Sequence, residues 1–269
     1  MTKLKLSILK IPIVGRWILA IYRAGIVLKF FRPKLIIFFK WLLISKETTN
    51  FTYDLEEHNK RYLASLISNV LNIEHSVIEG YFNELEGDNE LRRHLVDMTA
   101  KSDMKFLANQ KVEYGRRIGW YAFARVLKPR IIIETGVDKG LGACVLTAAL
   151  KKNQEEGFEG RYYGTDINPK AGYLLSKSYS DFGKVLYGDS IESLNKFEGE
   201  IDLFINDSDH SDSYEKEEYK CISNKLSQRS IVLGDNSHCS DKLFLFSLKS
   251  NRDFVYFQEK PADHWYPGA

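Results

Sequence analysis

The stretch INDSDHSDSYE, positions 205–215, follows directly on the apolar run IDLF and sets Asp207, Asp209 and His210 together. A second polar pair, Asp235–Asn236, closes the apolar run SIVLG. Three earlier apolar runs also end at carboxylates: Glu134, Asp166 and Asp189. One Asp after a strand says little, because Asp favours turns. Five such acids in succession describe an acidic edge, which suits hydroxyl groups, an ammonium or sulfonium cation, or a metal ion. Asp207 facing Asp235 and Asn236 offers three oxygen ligands of the kind a hard divalent cation such as Mg²⁺ takes. Asp209 is the alternative to Asp207. His210 either moves protons, its ordinary pKa of about 6.5 lying near working pH, or caps the helix that follows. His238 and His264 are further candidates. The terminal HWYPGA either lines an acceptor pocket or simply packs.

These residues need elements to place them. From Lys128 onward RIIIE, RYYGTD, KVLYGD, IDLFIND, SIVLGDN and DFVYFQE read as strands. They alternate with GLGACVLTAALKKN, PKAGYLLSKSYS (opened by Pro169), SYEKEEYKCISNKL and SDKLFLFSLKS, which read as helices. The alternation predicts an α/β fold: a Rossmann-like, doubly wound, mostly parallel sheet with helices on both faces. In such sheets ligands bind beyond the carboxyl ends of the strands, near the switch in strand order. Residues 47–110 read as a helical cover. Leu63, Leu66, Ile67, Val70 and Leu71 fall on one helix face, and Ser76 with Glu79 fits a capping box opening VIEGYFNEL. The expected division is a basic, apolar, amphipathic arm over 1–46, the cover over 47–110, and a cofactor domain over 111–269.

The glycine turn ETGVDKGLG feeds a helix amino terminus, but its spacing is GxxxGxG rather than GxGxxG. Asp166 also lies 30 residues beyond Gly136, where a dinucleotide fingerprint wants an acid at about 20. An NAD-dependent, sugar-modifying oxidoreductase is therefore the weaker reading. IIIETGVDKGLGA instead resembles motif I of class I S-adenosylmethionine-dependent methyltransferases, YYGTDINP their second-strand motif and LYGDSIESL their third. The resemblance covers roughly 111–260. It implies that Gly136, Val137 and Gly140 form the loop against the methionine moiety, with Glu134 supporting that loop or the ammonium group. It further implies that Asp166 takes the ribose, and that Asp189 and Ser190 lie at the adenine end. IDLFINDSDH and GDN are similar to the metal site of catechol- and caffeoyl-coenzyme A-type O-methyltransferases. That likeness implies Mg²⁺ or another divalent ion on Asp207, Asp235 and Asn236. The offset of His210 from Asp207, shared with the macrolide-sugar enzymes, implies a general base. A sheet of that family has a seventh, antiparallel strand. With about ten residues after DFVYFQE, it is expected to be short, absent or built differently.

Charge is unevenly spread. The net charge is +2 over 269 residues, yet 1–46 carries seven Lys, three Arg and no acid. The remainder holds 28 basic and 36 acidic groups, a poor balance for a nucleic-acid binder. The arm's apolar runs are broken every few residues by Lys10, Arg16, Arg23, Lys29, Arg32, Lys34 and Lys40, which argues against a membrane span. Nor does it show the cleavage site of a signal peptide. Trp, Phe and Leu among Lys and Arg suit a helix lying on a membrane surface, and Pro33 is expected to break it in two. The same arm could instead pack on the body or on a second copy in a homo-oligomer. Cys144, Cys221 and Cys239 form no CxxC pair, so neither a disulfide framework nor a zinc site is expected. Together these features predict a cytoplasmic protein, peripheral on the inner face of the cytoplasmic membrane. The resemblance to the sugar O-methyltransferases, taken with the cationic arm, implies that it methylates a sugar or glycolipid-like hydroxyl. A non-catalytic, membrane-surface binding protein on the same fold is the other alternative.

Overall fold

The structure is a computed structural model and describes residues 12–48, 51–109 and 111–268. The chain divides into two compact units, one taking Met1–Ser45 with Asp263–Tyr266, the other Lys46–Ala262 with Pro267–Ala269.

In the first unit a single helix, α1, runs over Pro12–Ile44 with Pro33 inside it. The expected break at Pro33 is therefore absent. Proline removes one backbone hydrogen bond, and the long apolar runs on either side keep the helix going. Trp17, Ile21, Leu28, Phe30 and Ile36 are exposed. Phe38 and Trp41 pack against Trp265, at ring-centroid separations of 6.3 and 5.2 Å. Among the described residues no helix is long and apolar enough to cross a membrane.

The second unit is built on a five-stranded sheet in the order β3-β2-β1-β4-β5. Its strands are β1 Ile131–Thr135, β2 Arg161–Asp166, β3 Gly183–Tyr187, β4 Ile201–Asn206 and β5 Leu226–Gly234. All pair in parallel. Such a sheet must be covered on both faces. On one side Ile133, Ile201 and Phe204 join Leu194 of α7 (Ser190–Lys196) and Tyr219 and Ile222 of α8 (Asp212–Ile222). Helix α6 (Leu141–Glu155) is buried along most of its length, and α5 (Arg117–Leu127) packs on it. Helices α2 (Glu57–Leu71), α3 (His75–Glu86) and α4 (Asn89–Lys101) precede the sheet, and α9 (Lys242–Lys249) follows β5. The chain runs outward from β1 to β3 and returns on the other side as β4. The switch point is therefore between β1 and β4, where a ligand crevice is expected.

Three expected elements differ. Residues 169–180 form turns and a short 3-10 helix at Lys177–Tyr179 rather than an α-helix. Gly172 N–H donates to the Asp138 carbonyl at 2.6 Å and Leu174 N–H to that of Lys139 at 3.1 Å. These amides bind the glycine loop and cannot serve an i−4 ladder. DFVYFQE is not a strand, and no sixth or seventh strand occurs among the described residues. Arg252 donates to the Ser230 carbonyl of β5 at 2.9 Å. The chain then turns away to meet residues 54–56, through Glu56 N–H to the Lys260 carbonyl and Ala262 N–H to that of Asp54. Finally, α3 starts at His75 behind Glu74 with no side-chain cap, so Ser76 lies inside the first turn and forms no capping box. All three cysteines are free.

Candidate active site

The site grows from where the strands stop. Thr135, Asn206 and Gly234 are in register at the ends of β1, β4 and β5. The next amide on each strand donates to a carbonyl at the end of its neighbour: Gly136 to Thr165 at 2.9 Å, Asp207 to Thr135 at 2.9 Å, Asp235 to Asn206 at 3.0 Å. The ladder thus continues one residue past the strands and fixes Gly136, Asp207 and Asp235 in one row.

Gly136 has φ +82°, and a Cβ there would fall inside the Asp207 carbonyl oxygen. Only glycine lets the loops after β1 and β4 touch backbone to backbone. The loop itself is held by Asp166, whose Oδ2 accepts from Val137 N–H at 3.1 Å and Asp138 N–H at 2.9 Å. Gly140, also at positive φ, precedes α6 and closes the turn on the Val137 carbonyl. Val137 is buried. Glu134 is 1 % exposed, behind the loop rather than open to it, and accepts from the Tyr162 hydroxyl. Burial raises its carboxyl to about 7, against the pull of Tyr162.

Asp189 caps α7, accepting from Glu192 N–H at 3.0 Å, and accepts from the Tyr214 hydroxyl at 3.3 Å. Ser190 is buried and donates to Glu218 on α8. Glu218 also accepts from Ser208 at 2.8 Å, Thr135 at 3.3 Å and Asn206. It ties the ends of β1 and β4 to the start of α7, and sequence reasoning missed it. The available signal was its position on the buried face of α8 beside Tyr219 and Ile222, where an acid has no reason to be without partners.

The acidic row carries the most unusual electrostatics. Arg116, just before α5, reaches Asp207 Oδ2 with Nη2 at 3.0 Å and Asp235 Oδ1 with Nε at 2.8 Å. The three side chains are 18, 13 and 9 % exposed respectively. Burial and then the Asp235 charge push the Asp207 carboxyl well up, further than Arg116 pulls it down. Burial most strongly disfavours the Asp235 carboxylate, but Arg116, the hydrogen bond with Asp207 and the charge of Arg117 together hold that group low. Two carboxylates around one guanidinium titrate as a unit. Glu259 completes the ring, with Oε1 3.9 Å from Arg116 Nε and Oε2 accepting from Tyr53 at 2.6 Å.

Asp207, Asp235 and His210 bring one ligand-capable atom each within 4.8 Å of the others. Asn236, wholly buried, accepts from His210 Nδ1 through Oδ1, while its Nδ2 has no partner. Asp209 is exposed and accepts from Ser211 N–H at 2.7 Å, outside the cluster. His238 is exposed, its Nδ1 3.2 Å from the Asp235 carbonyl. His264 belongs to the other unit, where its ring stacks on Trp265. A groove of about 810 Å³ runs along β5 from Ser230 to Asp235. Trp120, Phe123 and Phe254 give it apolar walls, and Arg116, Asp235 and Glu259 line it as well. Sequence reasoning missed Arg116, Glu259 and Tyr53. The signal for the first was the double arginine of YGRRIGW opening an otherwise buried helix.

Comparison with solved structures finds similar folds at low identity. SAH-bound methyltransferase PaMTH1 of Podospora anserina is 21 % identical, over 55 % of this chain and 62 % of that one, with a TM-score of 0.43. The O-methyltransferase TomG of Streptomyces achromogenes, in complex with SAM, is 17 % identical over 55 % of this chain and 66 % of its own, TM-score 0.43. This chain therefore spans less than two thirds of either. A methyltransferase from Geobacter sulfurreducens is 16 % identical over 61 % of this chain and 82 % of its own, TM-score 0.46. Comparison with curated proteins found no match. Residues 133–237 match the family described as Methyltransferase domain. That span runs from within β1 to just past β5 and contains the glycine loop, Asp166, Asp189 and the acidic row, so this region of the chain is similar to a methyltransferase domain.

Proposed function

We propose that the protein transfers a methyl group from S-adenosylmethionine to a hydroxyl oxygen, and that the acceptor is a sugar or glycolipid-like molecule met at a membrane surface. The observation that carries the reading is the row Gly136, Asp207, Asp235 at the switch point, with His210 beside it. S-adenosylmethionine supplies a methyl group on a positively charged sulfur, and an acidic edge tolerates that charge. Gly136 lets the loop after β1 pack against the Asp207 backbone, which sets the two loops side by side. Asp166 and Asp189 stand at the ends of β2 and β3, where ribose and adenine would lie.

A divalent ion fits the donor set. Asp207 and Asp235 offer carboxylate oxygens and Asn236 an amide oxygen. Asp235 Oδ1 is ion-paired with Arg116 Nε at 2.8 Å but receives no aligned hydrogen bond, and oxygen donors suit Mg²⁺. When bound, such an ion supplies positive charge that lowers the pKa of the acceptor hydroxyl. The chain's own residues do the rest. Asn236 Oδ1 accepts from His210 Nδ1, which leaves Nε2 as the basic nitrogen. His210 takes the hydroxyl proton at Nε2. The acceptor oxygen forms its bond to the methyl carbon as the carbon–sulfur bond breaks, leaving S-adenosylhomocysteine. The groove along β5 has the volume of a small-molecule site, and its apolar walls suit the non-sugar part of the acceptor. In this reading 111–269 holds cofactor and catalysis, 47–110 covers it, and 1–46 makes the membrane contact.

Calorimetric titration with S-adenosylmethionine and with NAD, each with and without Mg²⁺, tests the reading. Binding of the first and not the second is expected. Absence of S-adenosylmethionine binding would remove the proposal, and Mg²⁺-stimulated turnover that survives both Asp207→Ala and Asp235→Ala would remove the metal site.

A further inference from the structure

The oxygens that would hold a divalent ion already hold a cation. Arg116 Nη2 donates to Asp207 Oδ2 at 3.0 Å, and its Nε lies 2.8 Å from Asp235 Oδ1 as an ion pair without an aligned hydrogen bond. A side chain with a planar fork and a permanent charge suits two carboxylates held side by side. A metal ion at the same oxygens would sit against the guanidinium in a largely buried site, where like charges repel strongly. Ion and guanidinium therefore exclude one another. A second acceptor lies within reach: Glu259 Oε1 is 3.9 Å from Arg116 Nε, on a side chain 4 % exposed and fixed by the Tyr53 hydroxyl. A modest rotation would give the guanidinium this carboxylate in exchange for the pair. The face of Trp120, 5.6 Å from the guanidinium carbon, flanks it.

We propose that Arg116 is the resident cation of the Asp207–Asp235 pair and yields to a divalent ion by turning toward Glu259, so that Arg116 and Glu259 together set the metal affinity of the site. The inference rests on the metal reading above and deepens it. Arg116 is a positioning residue in this account, acting through the two aspartates. It makes metal binding conditional, and the charge of the pair is never left uncompensated.

The test is Mn²⁺ binding by electron paramagnetic resonance on the full chain, independent of turnover. Arg116→Gln is expected to tighten Mn²⁺ at least tenfold. Glu259→Gln is expected to weaken it several-fold in the wild-type background and to change nothing once Arg116 is Gln, since its effect runs through the guanidinium. Should Arg116→Gln not fold, judged by its thermal melt, Arg116→Lys serves. One ammonium cannot span both carboxylates as the fork does, so a several-fold gain is expected. Equal Mn²⁺ affinity in wild type and the Arg116 variant, or weaker affinity in the variant, overturns the proposal and leaves the metal reading standing. No Mn²⁺ binding in any variant overturns both. S-adenosylmethionine titration of the same samples reports separately on the methyltransferase reading.

Discussion

Gly136 and Asp207 meet backbone to backbone at the switch point, one residue beyond β1 and one beyond β4. The contact joins the glycine loop to the acidic row, so a change at one is felt at the other. Gly136→Ala must relieve both a positive φ and an overlap with a carbonyl oxygen. A loss on the order of 3 kcal/mol is expected in urea unfolding, with S-adenosylmethionine affinity down more than tenfold. A variant of unchanged midpoint and affinity would show that the two loops are not coupled.

His210 lies beside the pair without bonding to the glycine loop. His210→Gln should keep S-adenosylmethionine affinity while turnover falls about 100-fold or more, the usual contribution of a positioned base. A parallel loss of cofactor affinity would mean that His210 builds the site rather than moving the proton.

How far these residues were visible beforehand depends on the physics behind each. Asp207 and Asp235 stand one position past an apolar run, and parallel register turns that position into adjacency, so the juxtaposition could be read from the chain. Arg116 is 91 positions from Asp207 and precedes a helix whose apolar pattern says only that it is buried. Nothing local reveals what a side chain will meet across the fold. The segment containing Glu259 misled outright. DFVYFQE has the composition of a strand, but the residues directly after it, Lys260 and Ala262, are bonded to residues 54–56, a choice between partners that periodicity does not record. The 169–180 segment failed for a related reason, its amides being claimed by the glycine loop.

Glu134 gives the fold a pH dependence with a definite sign. Burial raises its carboxyl from 4.5 to about 7, so the folded state holds a proton the unfolded chain would release. The stabilisation is fully present below about pH 4.5 and is lost as pH rises through 7, a change of roughly 3 kcal/mol. Glu134→Gln keeps an acceptor for Tyr162 and cannot ionise. Its unfolding free energy should be flatter than wild type between pH 4.5 and 7, and greater at pH 8. Parallel curves for the two proteins would place the titration elsewhere.

Glu218 accepts from Ser190, Ser208, Thr135 and Asn206. Glu218→Ala strips the acceptor from all four at once, and a loss of about 3 kcal/mol is expected from leaving buried donors unpaired. Glu218→Gln restores one carbonyl oxygen and should recover part of it. Because Thr135 and Asn206 end β1 and β4, the Ala variant should also weaken S-adenosylmethionine binding. Full stability in Glu218→Ala would mean that water replaces the carboxylate without cost.

The helix α1 offers a charge argument that can be separated from its apolar one. Trp17 and Phe31 are 69 and 47 % exposed on one side of the helix, and at 3.6 residues per turn Arg16, Arg23 and Lys34 fall on a different line down it. Aromatic side chains of this kind insert at a membrane interface, and each basic residue near an anionic leaflet adds about 1 kcal/mol. The full chain should float with vesicles containing anionic phospholipid, less with phosphatidylcholine alone, and less in high salt, which screens the basic residues. Trp17→Glu with Phe31→Glu should abolish flotation, whereas Arg16, Arg23 and Lys34 to Gln should remove only its dependence on anionic lipid. Equal flotation of all three proteins would show that the helix does not hold the chain to the surface.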